Sequence, residues 1–246
     1  MKIINILLII FIALWGCATS VSSMEFRTAK TAARSEKNLK RAEEWGVKAL
    51  DLEIHSQDAL VPYFIATEIY KPQKKWEDMA MMMFEALDRN AAQNLEKPIP
   101  INDGTIARTI ADGYNIYKPF IWSGLFNHAT DLYNKSLNND DNQKLNQMEA
   151  IRIYELALKV DPNRAETYIV LAKFHHEINK PSPAKEFINI GLTLESLTKE
   201  QKTELFLIYA ELYKKEENLE LALEFYEKAY LENNESIIAI LGIMRA

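Results

Sequence analysis

The feature that most limits how this chain can fold is a set of small residues returning at fixed offsets. Ala150 is followed by Tyr154, Ala157 and Pro162 at +4, +7 and +12; Ala184 by Ile188, Gly191 and Ser196; Ala222 by Tyr226, Ala229 and Asn234. Twelve residues ahead of the last two alanines stand Ala172 and Ala210, each preceded by a large apolar residue, Leu171 and Tyr209. Offsets of four and seven put these side chains on one face of a helix. Antiparallel helices approach closely where alanine or glycine faces the partner, and a large residue one turn away fills the space beside it. With 7 glycines and 8 prolines in 246 residues, turn formers are too few for a many-stranded β fold. No stretch alternates with period two for long. The chain reads as all-α.

Ala150 to Ala184 is 34 residues and Ala184 to Ala222 is 38. In period and in the placing of small residues the chain resembles the tetratricopeptide repeat, a helix–turn–helix unit of about 34 residues. The resemblance is clearest over 143–163, 165–198 and 203–236, with Asp161-Pro162 as a stop between units, since proline cannot continue a helix. Towards the N-terminus, helices are expected near 24–34, over 37–54 (Ala42, Gly46, Ala49) and near 58–70 (Ile65, Ala66). The partner of the last carries Trp76, Met79, Met83 and Ala86. Residues 91–102, with Pro98 and Pro100, read as a loop, followed by helices at 103–117 and 120–137. Two pairings stay open. Ile69-Tyr70-Lys71-Pro72 before Trp76 is echoed by Ile116-Tyr117-Lys118-Pro119 before Trp122, which makes 103–117 a first helix and 120–137 its second. The second-helix pattern of Ala150 to Pro162 instead makes 120–137 a first helix, across a long turn at Asn138–Asn142. Either pairing gives an α-solenoid of about five units over 24–246, irregular at 91–142 and closed by a capping helix at 236–245.

The N-terminal residues read as an address. After Lys2, an apolar run from Ile3 to Leu14 is broken only by Asn5 and leads to Leu14-Trp15-Gly16-Cys17. Twelve residues are too short for a bilayer core, which takes about 20 in a helix, and match an export signal. Cys17 is the only cysteine of the chain, so no internal disulfide or thiolate metal site can form. The run and its cysteine resemble the bacterial lipobox. That resemblance implies removal of residues 1–16, lipidation of Cys17, and a polar tether over 17–23. Ala18, where retention in the inner membrane would be signalled by aspartate, implies the periplasmic face of the outer membrane. An ordinary signal peptide with an incidental cysteine is the other reading.

Chemistry is hard to assemble from these residues. The four histidines are His55, His128, His175 and His176, and the adjacent pair lies about 100° apart on a helix. No HExxH, Gly-rich phosphate loop or EF-hand spacing occurs. His175 reads as a packed core histidine, and Asn138–Asn142 as a solvated turn. No catalytic residue, metal or cofactor is expected. A net charge of −6 gives no basic excess for nucleic acid. Arg27, Lys30, Arg34, Lys37 and Arg41 recur at helical intervals, but Ser35–Asn38 reads as a turn that breaks any stripe.

The repeat resemblance implies a concave surface of first helices that binds a protein or peptide. Four first helices carry four consecutive apolar residues: Pro62–Ile65, Tyr168–Leu171, Phe206–Tyr209 and Ile238–Leu241. Four in a row spread over 300°, too wide for one packed stripe. The expectation is that Tyr63, Ile169 and Leu207 line an apolar groove with Lys173 and Glu211 at its polar edges. The bland reading is that neighbouring repeats cover them. A competing site is aromatic, an apolar pocket around Tyr114, Tyr117, Trp122 and Phe126 that would take a small ligand for an envelope transporter.

Overall fold

The computed structural model describes residues 22–137 and 142–245; the expected signal, Cys17, most of the tether and most of the turn expected at Asn138–Asn142 lie outside the described residues. The chain divides after Asn115 into two compact units.

The first unit is built from two helical hairpins and a β-hairpin. Helix α1 (Met24–Arg34) starts where the Ser23 Oγ accepts from the Phe26 N–H at 3.0 Å, and it buries Phe26, Ala29, Ala32 and Ala33. Lys37 takes a left-handed φ of 55° in the expected turn. Asn38 then caps α2 (Leu39–Leu50), which buries Ala42, Gly46 and Ala49. Helix α3 runs from Leu60–Phe64 through a π-helical stretch, Ile65–Tyr70, to a last turn, Lys71–Gln73. Left-handed Lys74 reverses the chain into α4 (Trp76–Asn90), whose Met79, Ala80, Met83 and Ala86 are buried.

Residues 91–102 are not simply a loop. Strand β1 (Asn94–Pro100) pairs antiparallel with β2 (Ile106–Thr109), with an irregularity between Asn94 and Ile99. Proline is tolerated on such an exposed two-stranded ladder because its missing N–H leaves no central bond unmade. Leu95 packs with Ala59, Ala86 and Ile110, which gives the hairpin a buried side. The helix expected at 103–117 accordingly begins late. The Asp112 carboxylate accepts from the Arg108 and Thr109 N–H groups at 2.9 and 3.0 Å, and α5 starts at Ile110.

Helix α5 (Ile110–Ser136) is one element where two were expected, with Pro119 inside it. Its residues from 116 onward belong to the second unit. There it is followed by α6 (Gln143–Val160), α7 (Ala165–Glu177), α8 (Pro181–Leu192), α9 (Lys199–Lys215), α10 (Leu219–Glu232) and α11 (Ile237–Arg245). The open pairing is decided by two contacts. Phe126 meets Tyr154 edge-on at 5.1 Å, and the Thr130 and Tyr154 hydroxyls lie 2.8 Å apart. The second half of α5 is therefore the first helix of a hairpin with α6, and the Pro72/Pro119 echo does not mark equivalent positions. Three hairpins and a cap follow in register: α5/α6, α7/α8, α9/α10 and α11.

The recurring small residues sit where helices nest. Ala150, Tyr154 and Ala157, Ala184, Ile188 and Gly191, and Ala222, Tyr226 and Ala229 are all buried. A Cβ on Gly191 would stand 3.2 Å from both Leu205 and Tyr168, tighter than side chains normally pack. These are nested antiparallel helical hairpins, stacked as a repeat array.

Candidate functional site: a groove along the first helices

In the second unit the first helices α7, α9 and α11 border an open groove of about 240 Å³. Its apolar part is Leu207, half-buried, over the buried Ile208, with the exposed Ile238 opposite. Its polar part is Lys173, His176 and Glu177 from α7 and Glu204 and Glu211 from α9. Glu204, Leu207, Ile208 and Glu211 fall at i, i+3, i+4 and i+7, so a single helix face supplies both acids and both apolar side chains.

The charged groups are held in place. Lys173 and Glu204 form an ion pair between α7 and α9. Glu177 accepts from the Tyr133 hydroxyl at 3.2 Å. Glu211 accepts from the Tyr226 hydroxyl and lies 3.5 Å from Lys214. Burial, and then the hydrogen bond to Glu211, push the Tyr226 phenol far above its usual range, so it remains a donor. Burial, followed by the charge of Lys215, holds the His176 imidazole below its ordinary value. It is neutral at pH 7, and the groove presents three carboxylates against one ammonium. A second cavity of about 270 Å³ shares Glu211 and Ile238 and continues towards Lys214, Tyr226, Leu241 and Arg245. There α11 approaches so closely that a Cβ on Gly242 would stand 2.3 Å from the Tyr226 ring.

Of the residues singled out in the sequence, Leu207, Lys173 and Glu211 are brought together here. Ile169 is not. It is 5% exposed and packed with Leu205, Ile208 and Tyr209 of α9, so the neighbouring repeat covers it, as the bland reading supposed. Tyr63 belongs to the first unit, where its ring fills the space left by Gly113 and packs beside Leu95 and Ile110. His176, Glu177, Glu204, Ile208 and Ile238 were missed as site residues. The i, i+3, i+4, i+7 stripe of α9 was the available signal for Glu204.

The aromatic residues are structural joints. Trp122 donates to the Thr167 hydroxyl at 2.9 Å, packs on Phe126 at 5.1 Å and carries the Arg164 guanidinium 4.5 Å from its ring centre. Tyr114 packs against Phe84 in the first unit, and Tyr117 is half-buried. His175 is buried and stacked on Phe187 at 5.4 Å, the packed histidine expected. Lys30 and Arg34 pair with Glu96 and Glu68, and Arg41 with Glu36, so they form no free basic stripe. Among the described residues no group of three or more His, Cys, Asp or Glu is placed to hold a metal ion, and no helix is long and apolar enough to cross a membrane.

No family model matches the sequence, and no curated protein matches it. Solved structures of tetratricopeptide-repeat proteins do align with the chain. YrrB, described as a TPR protein with an unusual peptide-binding site, is 15% identical, with 91% of this chain and 92% of that one covered and a TM-score of 0.36. A thermophilic TPR protein of Thermus thermophilus is 16% identical over 89% and 95%, with a TM-score of 0.38. PilW, a type IV pilus biogenesis factor, is 16% identical over 91% and 99%, with a TM-score of 0.33. The chain is similar to these proteins in the class of its fold.

Proposed function

We propose that this protein is a non-enzymatic, lipid-anchored scaffold of the bacterial envelope, whose first-helix groove holds a segment of a protein partner. One observation carries the binding reading: half-buried Leu207 and exposed Ile238 line the groove beside Ile208, among Glu177, Glu204 and Glu211. An apolar floor with acidic edges fits a segment with apolar anchors flanked by lysine or arginine. The groove is open and accommodates side chains of a macromolecule more readily than it encloses a whole small ligand. Anchoring rests on the run ending Leu14-Trp15-Gly16-Cys17 and on Ala18, which support attachment at the periplasmic face of the outer membrane. Each buried lipid methylene contributes about 0.8 kcal/mol, so more than one acyl chain gives a lasting anchor.

The groove is tested with amphipathic peptides of about 15 residues that share one apolar face and differ only in flanking charge. Anisotropy should show the lysine-bearing peptide binding at least about ten-fold tighter than its glutamate counterpart, with Leu207→Asp removing the binding. Equal affinities, or binding indifferent to Leu207, refute the groove. For the anchor, a fatty-acid analogue fed to cells should label the wild-type protein and not Cys17→Ser; an unlabelled wild type refutes it.

A further inference from the structure

The second unit leaves its first-helix groove open, whereas the first unit fills the matching face from within. Ala66 and Ala210 each follow four consecutive apolar residues, so Leu60, Tyr63 and Thr67 of α3 stand where Glu204, Leu207 and Glu211 stand on α9. Leu60 and Tyr63 are covered: they and Ile99 pack on the cluster of Ala59, Ala86, Leu95 and Ile110. Leu95 and Ile99 belong to strand β1, and Glu96 beside them pairs with Lys30 and Arg34 of α1 at 2.6 and 2.9 Å. The strand thus lies across two first helices, with apolar residues towards α3 and a carboxylate on the cations of α1. Its hold is slight. Of the two strands only Leu95 and Ala107 are buried, the ladder is irregular between Asn94 and Ile99, and the paired side chains are 20–43% exposed. A two-stranded hairpin is marginally stable alone, and an element with few buried contacts opens well below the cost of global unfolding.

We propose that the β-hairpin is a displaceable strap over a second binding face, formed by α1 and α3, and that an acidic, extended segment of a partner protein competes for that face. Charge selects the occupant. With Glu96 lifted away, the one carboxylate still paired with these cations among the described residues is Glu68, 2.6 Å from Arg34. The uncovered stripe of α3 carries Leu60 and Thr67 where α9 has two acids. A carboxylate flanked by apolar side chains, as in Leu95-Glu96-Lys97-Pro98-Ile99, restores both the ion pairs and the apolar cover. A lysine in its place would meet two cations. The preference is therefore opposite to that of the groove in the second unit, which sets three carboxylates against one ammonium. The resting chain keeps this face closed, so the open groove remains that of the second unit. The strap rests on contacts inside the first unit alone and neither requires nor follows from the groove reading.

The test uses the full-length chain and a fluorescent peptide copying Asn94 to Ile101. Glu96→Lys sets a cation against Lys30 and Arg34 and should open the strap. Hydrogen exchange over 94–109 should then rise at least about ten-fold while α4 keeps its protection, and in the wild type the hairpin should already exchange faster than α4. The peptide should bind the Glu96→Lys variant at least about ten-fold tighter than the wild type, whose own strap competes. The same peptide with lysine in place of its glutamate should not bind. Adding Leu207→Asp should leave binding unchanged, which separates this face from the groove. Circular dichroism confirms that each variant is helical. A wild-type hairpin protected as strongly as α4 overturns the proposal. So does a peptide that binds both proteins equally or neither, prefers lysine, or is lost with Leu207→Asp.

Discussion

The two units solve the same packing problem by different means. In the first, polar bridges run between elements. Arg34 joins Glu68 of α3 to Glu96 of β1, Lys75 reaches Glu43 of α2, and Arg89 of α4 donates to the His55 and Leu50 carbonyls at 2.6 and 3.3 Å. Gln93 clasps Ala59 N–H and Asp58, each at 2.7 Å. In the second, rings do much of this joining. Tyr154 lies among Phe126 and Phe174, and Tyr209, Tyr213 and Phe225 stack with centroids 4.5–5.7 Å apart. Exposed apolar side chains differ likewise. Those of the first unit, such as Val47, Ile54 and Met81, are scattered, as on any monomer, whereas Ile237, Ile238, Ile240, Leu241 and Met244 are contiguous. The second unit is where binding is to be sought.

The largest effect that could break this contrast comes from its central ring. Tyr154→Ala removes a fully buried side chain and should cost about 3–5 kcal/mol, read by urea denaturation; a loss under about 1 kcal/mol would mean the rings are not what joins these repeats. Next is the pair Ile169 and Leu207. Ile169→Ala should cost about 2–4 kcal/mol, whereas Leu207→Ala should leave the urea midpoint within about 0.5–1 kcal/mol of wild type yet weaken peptide binding. Similar losses in both would make Leu207 core and close the groove. Gly242→Val forces a side chain into the Tyr226 ring and should cost about 1–3 kcal/mol, with hydrogen exchange rising in α11 alone. Protection unchanged in α11 would show the cap is not seated on Tyr226.

Smallest is the first unit's bridge. Arg34→Ala should cost about 0.5–1 kcal/mol, discounted because its side chain is 43% exposed, and the difference should shrink in high salt. The pH dependence has a fixed sign. Burial pushes the Glu96 carboxyl up, but the pairs with Lys30 and Arg34 outweigh it and leave it below the ordinary 4.5. A depressed folded value means the unfolded chain holds more protons, so this contribution is complete above about pH 5 and fades as pH falls through the folded value. Thermal melts from pH 6 to pH 3 should converge for wild type and Arg34→Ala; a constant gap would assign the effect to the Phe64 ring, whose centre lies 5.5 Å from the guanidinium.

Much of this was legible because nesting is a short-range rule. The offsets at Ala150, Ala184 and Ala222 report the contact directly, and the α7/α8 and α9/α10 hairpins stand where they point, whereas the spacing left the partner of α6 open until Phe126 and Thr130 were found against Tyr154. The β-hairpin was hidden because its residues are individually loop formers, including Pro98 and Pro100. Leu95 makes it ordered, and that contact spans distant elements. Pro119 suggested a break that the helix absorbs. Ile169 and Leu207 occupy comparable places in their apolar runs, and only the neighbouring repeat tells them apart: α9 covers Ile169, while beside Leu207 the next first helix is α11, which leaves space. A groove defined by what is absent from it cannot be read from spacing alone.

A photo-crosslinking amino acid at Leu207, activated in intact cells, tests most directly whether the first-helix groove of the second unit engages a protein. One discrete adduct is predicted, dependent on Glu204 and Glu211 and missing when the same probe replaces Met81 in the first unit; adducts equal at both positions, or none at Leu207, would contradict it.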